Sequence, residues 1–163
     1  MHYKVADHRS TPLRTLCTST YNAIMDLVSF TKEPGLLDGV TAQEYAEYFY
    51  GAALVACQAY AVGTVGDIND MRESAGRARV SKINLYKYTS SSLGGPTEVE
   101  FINALANYFK HHEEWVTWPE NETTRTLRSF GISEDTEFPL KAGCEKLIAY
   151  YPDLRGLCQI LEN

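Results

Sequence analysis

Residues 50–63, YGAALVACQAYAVG, form the most apolar stretch of this 163-residue chain. Gln58 interrupts the stretch, which is also shorter than the roughly 18 apolar residues that a membrane span requires. Its many alanines would let neighbouring helices come close. Gly51, in its interior, costs about 1 kcal/mol in helix propensity relative to alanine, a cost that close packing would explain. The stretch therefore predicts a buried helix in a protein built from helices.

This central helix extends in both directions from the apolar stretch. Thr41 and Glu44 form a T-x-x-E capping box, so we expect the helix to begin there and to run to about Met71. It is apolar all round after Tyr50, which places it at the centre of the domain. One side carries a stripe of mainly small apolar residues, namely Tyr45, Phe49, Ala52, Ala53, Ala56 and Ala59.

Two further long helices are predicted, one on each side of the central helix in sequence. Apolar residues recur at three- and four-residue steps over 13–30, with Pro12 suited to the first turn. Thr97 and Glu100 form a second T-x-x-E box, and the helix that follows reaches about Glu114.

The remaining segments predict short elements. A short helix fits 122–130 and ends at Gly131, and Pro139 and Pro152 each suit the first turn of a further helix. Residues 80–88 are the one candidate strand. The predicted fold class is therefore all-α, a helical bundle of three long helices plus shorter C-terminal helices, with 1–163 as a single domain and an irregular basic loop at 73–96.

Composition narrows the class of protein further. Hydrophobic residues make up 44% and charged residues 22%, which excludes a disordered chain, and the net charge of -6 makes the molecule as a whole repel polyanions. There is no CxxC pair, so we expect four reduced core thiols, Cys17, Cys57, Cys144 and Cys158. The N-terminus has no apolar core of signal-peptide length, so we expect a cytoplasmic protein without membrane contact.

Positive charge is concentrated in one segment, 72–88, which holds five cations against the single acid Glu73. Cations hold phosphates and aromatic rings stack on unpaired bases, so this segment predicts a site for single-stranded RNA. The predicted nucleic-acid-binding residues are Arg77, Arg79, Lys82, Tyr86, Lys87 and Tyr88. The alternative is a solvated loop that balances the acidic remainder of the chain.

The third long helix carries a polar stripe. At 100° per residue, Asn107 and His111 lie side by side, and a histidine in the last turn of a helix is favoured as a cation, which would help it hold a phosphate. Lys110 lies on the same stripe and His112 at its other boundary. The alternative is that His111 faces solvent while His112 packs or caps the helix end.

The run Ala106-Asn107-Tyr108-Phe109-Lys110-His111-His112-Glu113 resembles the R-N-x-x-x-H-H-E motif of HEPN domains. These domains are small helical bundles of toxin–antitoxin, phage-defence and RNA-processing systems. Members with the full motif are metal-independent ribonucleases in which arginine and histidine, usually brought together across a homodimer, act on the scissile phosphate and its 2'-hydroxyl. The resemblance implies a catalytic site made of Asn107, Lys110, His111 and His112, with no metal and no cofactor.

One position departs from the motif, because Ala106 stands where the family has arginine. Two alternatives follow within the resemblance: a non-catalytic RNA-binding member, or an enzyme that draws its arginine from Arg77 or Arg79. A hypothesis of another class is a non-enzymatic helical module that binds a protein partner or regulates one. The sequence leaves open whether the protein is an enzyme.

Overall fold

The computed structural model describes residues 7–88 and 95–162, and all regular structure within these ranges is helical. The predicted all-α fold class is therefore confirmed. The helices are α1 (Ser10–Phe30), α2 (Gly39–Ser74), α3 (Lys82–Tyr86), α4 (Glu98–His111), α5 (Glu122–Ser129), α6 (Pro139–Leu147) and α7 (Arg155–Glu162), with one 3-10 turn, His112–Glu114, directly after α4.

The 36-residue helix α2 organises the bundle, as predicted. It packs against α1 and α4 along its length and also contacts α6 and α7, while α5 packs on α4. Fully buried side chains such as Leu54, Phe101 and Leu105 belong to one continuous core that draws on α1, α2 and α4–α7.

The first and last helices are joined directly. Arg14 of α1 pairs with Glu162 of α7, and the Sγ atoms of Cys17 and Cys158 lie 3.7 Å apart in the core. All four cysteines are buried and free, which confirms their prediction as reduced core thiols. Burial raises the pKa of the Cys144 thiol, so this group stays protonated.

The predicted caps have mixed outcomes. The Thr97–Glu100 box is confirmed: the Thr97 hydroxyl accepts from the Glu100 amide at 3.1 Å, and the Thr97 amide donates to the Glu100 carboxylate at 2.8 Å. The Thr41–Glu44 box is wrong, because α2 begins two residues earlier, at Gly39. Asp38 caps that helix instead, accepting hydrogen bonds from the amides of Val40 and Thr41.

The segment predicted as an irregular loop at 73–96 is partly helical. Helix α2 continues to Ser74 and ends in a Schellman motif, in which Gly76 has φ +69° and the Arg77 amide bonds to the Arg72 carbonyl. The predicted strand at 80–88 is wrong, because α3 occupies its centre with Ser81 as the N-cap.

Helix α3 is fixed at both ends. The buried Asn69 side chain of α2 bonds to the N–H and the C=O of Val80, and the Thr97 hydroxyl donates to the Tyr86 carbonyl at 2.7 Å. These contacts hold the short helix between α2 and the start of α4.

The shorter helices begin and end largely where the sequence predicts. Gly131 follows α5 with φ +74°, and Pro139 is the first residue of α6. Pro152 is wrong as a first-turn residue, since α7 begins only at Arg155. Helix α1 begins at Ser10, two residues before Pro12.

The prediction that α2 is buried on all sides is wrong. Along its predicted apolar stripe Ala53 is fully buried, but Tyr45 is 52% exposed and Ala52 and Ala59 are also exposed. Among the described helices α2 is the one long and apolar enough to cross a bilayer by length and composition alone, a test that core helices also pass, and 33% of that window is buried. One long apolar face therefore remains at the surface.

Candidate functional site

The polar stripe of α4 faces α2 rather than solvent. Asn103, Asn107 and Lys110 follow one another at four- and three-residue steps, which places them on one side of the helix. Gln58 of α2 lies opposite, and its Nε2 donates to the Oδ1 atoms of Asn103 and Asn107, both at 2.9 Å. Its Oε1 accepts from Lys110 Nζ at 2.8 Å. These four residues form what we call the Gln58 cluster.

Sequence reasoning did not identify Gln58 as a site residue. The signal was present, because Gln58 is the one polar side chain in the apolar stretch 50–63 apart from the tyrosine hydroxyls. A polar side chain inside an apolar bundle needs hydrogen-bond partners, and Gln58 uses both ends of its amide. The cluster therefore couples α2 to α4 by polar contacts in an otherwise apolar contact.

A cavity of about 190 Å³ lies on the other side of the two asparagines, between α3, α4 and α5. It brings together three residues that the sequence assigned to two different predicted sites: Lys82 and Tyr86 from the RNA site, and Asn107 from the catalytic site. The lining residues are Lys82, Ile83, Tyr86, Glu100, Asn103, Ala104, Asn107, Glu122, Thr123 and Thr126.

The chemistry of this cavity is set by what its polar groups already bond. The oxygens of Asn103 and Asn107 are occupied by Gln58, so their Nδ2 groups are the hydrogen-bonding atoms left to face elsewhere. Tyr86 is 5% exposed, and its hydroxyl has no hydrogen-bond partner within the part of the chain that the structure describes. Burial raises the pKa of Tyr86, so the hydroxyl keeps its proton.

The two histidines diverge, as adjacent helical residues do. His111 is exposed, and its Nδ1 lies 3.6 Å from a carboxylate oxygen of Glu114. His112 turns the other way: its ring stacks on Tyr108 with 4.6 Å between centroids, and its Nδ1 lies 3.1 Å from the Tyr108 carbonyl oxygen. The structure does not join His111 to Asn107, the pair predicted to share one ligand.

His112 and Lys110 share a second cavity, of about 560 Å³, with Glu47 of α2. The Glu47 carboxylate accepts from the amides of Leu140 and Lys141 at the start of α6, at 3.0 and 2.7 Å. Burial raises the pKa of Glu47, although these two amides and the charge of a protonated His112 favour its ionised form. The carboxylate is thus committed to capping α6.

The basic residues predicted to bind RNA are spread over several environments. Arg79 pairs with Glu73 at 2.8 Å and Asp70 at 3.4 Å, so much of its charge is neutralised. Arg77, Lys87 and Tyr88 are exposed, and Tyr88 is not packed against the core. Of the six predicted residues only Lys82 and Tyr86 line a common cavity.

Ala106, the position of the motif arginine, is fully buried in the core. A guanidinium at this point of α4 would have to leave water without a partner, which is costly. Within 7–88 and 95–162, no contact joins Arg77 or Arg79 to His111. Those ranges also contain no group of three or more histidine, cysteine or carboxylate side chains close enough to hold a metal ion.

A third feature is the exposed face of α2. Six apolar residues lie along it, and we call them the α2 seam: Tyr45, Tyr48, Ala52, Val55, Ala59 and Val62. Tyr48 is 62% and Val62 46% exposed, and the edge of the seam touches α4 through the ring of Phe109, 6.1 Å from that of Tyr48.

Comparison with protein-family models, with curated proteins and with solved structures finds no match to this chain. Its fold and surface therefore define its class directly: a helical bundle with an internal polar cluster, a small polar cavity and an exposed apolar seam.

Proposed function

We propose that this protein is a non-enzymatic helical interaction module that pairs with a second copy of itself through the α2 seam. The observation that carries the proposal is the exposure of an apolar row along the longest helix of the bundle. Exposed apolar surface that is continuous along an element is typical of interaction sites rather than of free surface.

The spacing of the seam is that of a helix-pairing surface. Its residues follow one another at steps of three, four, three, four and three, from Tyr45 to Val62. This is the a/d pattern of a coiled coil, in which apolar residues recur every 3.5 residues and face a partner helix. A solvated helix face has no physical reason to keep such a row apolar.

The order of large and small residues favours an antiparallel pair of identical helices. The two tyrosines stand at the N-terminal end of the seam, and alanine and valine follow toward its C-terminal end. A two-fold axis near Ala52 would set Tyr48 of one copy against Ala59 of the other, and Tyr45 against Val62. Large residues then meet small ones at every level, and the alanines permit close approach of the two axes.

The surface available is close to what a stable dimer needs. At 1.5 Å per residue the seam is about 26 Å long, and half the surface of a helix 10–12 Å wide over that length is about 500 Å². Leu16 and Phe30 of α1, exposed at 39% and 43%, lie on the side away from α7, next to α2. Together they approach the roughly 800 Å² per partner of a standard interface.

The test places like charges on the two-fold axis. In the double variant Ala52→Glu, Ala59→Glu, four carboxylates would meet in the dimer, whereas each is solvated in the monomer. Sedimentation equilibrium should give twice the chain mass of 18.3 kDa for the wild type and a single chain mass for the variant. Ala149→Glu, at an exposed alanine outside the seam, is the matched control and should remain dimeric.

Circular dichroism and thermal melting show that each variant is folded. A monomeric wild type, or a dimer that survives the double substitution, would overturn the proposal. A monomer that floats with phospholipid vesicles would assign the seam to a lipid surface and would equally overturn it.

A further inference from the structure

The cavity between α3, α4 and α5 is independent of the α2 seam, and we propose that it binds the base of a nucleotide. The inference goes beyond the proposed function. It rests on the size of the cavity, on its polar lining, on an unpaired buried hydroxyl and on one cation beside it.

The size selects a small planar group. The cavity measures about 190 Å³. An engineered cavity of about 150 Å³ is known to hold one benzene molecule. A six-membered ring with its exocyclic groups therefore fits, whereas a peptide segment or an acyl chain does not.

The lining selects a ring that both donates and accepts hydrogen bonds. The Nδ2 groups of Asn103 and Asn107 are donors, because their oxygens bond to Gln58. The Glu122 carboxylate is an acceptor, and Thr126 contributes a hydroxyl that can do either. The edges of nucleobases carry donors and acceptors side by side, and paired side-chain contacts of this kind are how proteins recognise them.

Tyr86 supplies the second observation that points to a ligand. It lines the cavity and is 95% buried, since its exposure is 5%, and its hydroxyl has no partner among the described residues. Buried polar groups are nearly always paired, so an unpaired one beside a cavity marks a place where a ligand atom gains a hydrogen bond. The aromatic ring also offers a face on which a base can stack.

The charges place the phosphate outside. Glu100 and Glu122 line the cavity and would repel an anion within it. Lys82 lies on the same wall, with its side chain exposed and its Nζ 5.9 Å from the centroid of the Tyr86 ring. A nucleotide would thus place its base among the asparagines and its phosphate beside Lys82.

The experiment is isothermal titration calorimetry with the 5'-monophosphates of uridine, cytidine, adenosine and guanosine, using ribose 5-phosphate as the ligand without a base. We expect at least one nucleotide to bind and ribose 5-phosphate not to bind. Fluorescence anisotropy with labelled ten-residue oligonucleotides of single-stranded RNA distinguishes the two sources of a base. Binding of oligonucleotides alone assigns the site to RNA, and binding of mononucleotides assigns it to free nucleotide.

Two conservative variants test the geometry. Tyr86→Phe removes only the hydroxyl and should weaken nucleotide binding about tenfold, the effect of one hydrogen bond. Lys82→Met should weaken nucleotides but leave nucleosides unchanged, whereas Lys87→Met, an exposed lysine just beyond α3, should change neither.

Equal binding of ribose 5-phosphate, an unchanged affinity in Tyr86→Phe, or no binding of any base-containing ligand would overturn the inference. The titrations are repeated on the Ala52→Glu, Ala59→Glu variant. Failure of dimerisation and failure of base binding are then read separately.

Discussion

Gly51 shows how one missing side chain sets the distance between α2 and α4. A Cβ atom built at this position would overlap the ring of Phe109, which belongs to α4. The sequence prediction that close packing compensates for a glycine inside a helix is therefore confirmed. The identity of the neighbour could not be predicted, because Gly51 and Phe109 lie far apart in the chain.

Gly51→Ala should lower the free energy of unfolding by about 1–3 kcal/mol, because overpacking against Phe109 outweighs the gain of about 1 kcal/mol in helix propensity. Gly66→Ala, on the same helix, is the matched control, since its Cβ would meet nothing within 4 Å. The control should gain up to about 1 kcal/mol. Urea denaturation measures both, and equal stabilisation of the two variants would contradict this reading of the α2–α4 contact.

The Gln58 cluster shows the same limit for polar residues. The sequence placed Asn107 and Lys110 on one stripe of α4, and the structure confirms that shared face. It could not reveal that Gln58, 49 residues before Asn107, lies opposite, because hydrogen-bond partners on different helices are set by packing rather than by spacing.

At the scale of helices, local signals were reliable where the cap lies next to the helix in sequence. The Thr97–Glu100 box and the glycine after α5 could be predicted because each acts over a few residues. The Thr41–Glu44 box failed because Asp38 competes for the same amides from an earlier position. Helix α6 has no local side-chain cap, and its cap comes from Glu47 on α2.

Glu47→Ala leaves two amides at the start of α6 without an acceptor and should lower the free energy of unfolding by about 1–2 kcal/mol at neutral pH. Glu47→Gln keeps one acceptor and should cost less. Glu44→Ala, an exposed glutamate one turn earlier, is the control and should be nearly neutral.

The pH dependence of these variants has a definite sign. Burial raises the folded-state pKa of Glu47, so its contribution to stability is fully present below the ordinary carboxyl pKa and is lost as pH rises through the folded pKa. The wild type should therefore lose stability relative to Glu47→Gln between about pH 4 and pH 7. Thermal melts at several pH values measure this, and a constant difference would contradict the role of burial.

For the whole molecule, periodicity was enough to predict an all-α bundle with three long helices. It was not enough to predict which side of α2 is buried. A helix that is apolar all round gives no moment to orient it, so the sequence placed both faces in the core. The exposed seam became visible only when α1 and α4 were seen to occupy the other sides.

The ribonuclease hypothesis also belongs to this scale, because it requires residues from several elements to meet. We expect the purified protein to leave single-stranded RNA intact in EDTA, since Ala106 is buried and His111 contacts Glu114 rather than Asn107 or an arginine. The assay is run well above the dimerisation constant, so that residues from both copies are present, and a metal-independent ribonuclease is the positive control. Cleavage that disappears in His111→Ala, His112→Ala would restore the enzymatic reading.

The pairing of α1 with α7 has a consequence for biosynthesis. Cys17 and Cys158 are separated by 141 residues, so the ribosome releases the first helix long before its partner exists. Until translation reaches α7, the part of α1 that α7 covers is open to other apolar surfaces. Contacts so distant in sequence form late, and the nascent chain therefore completes its bundle only once the last helix has emerged.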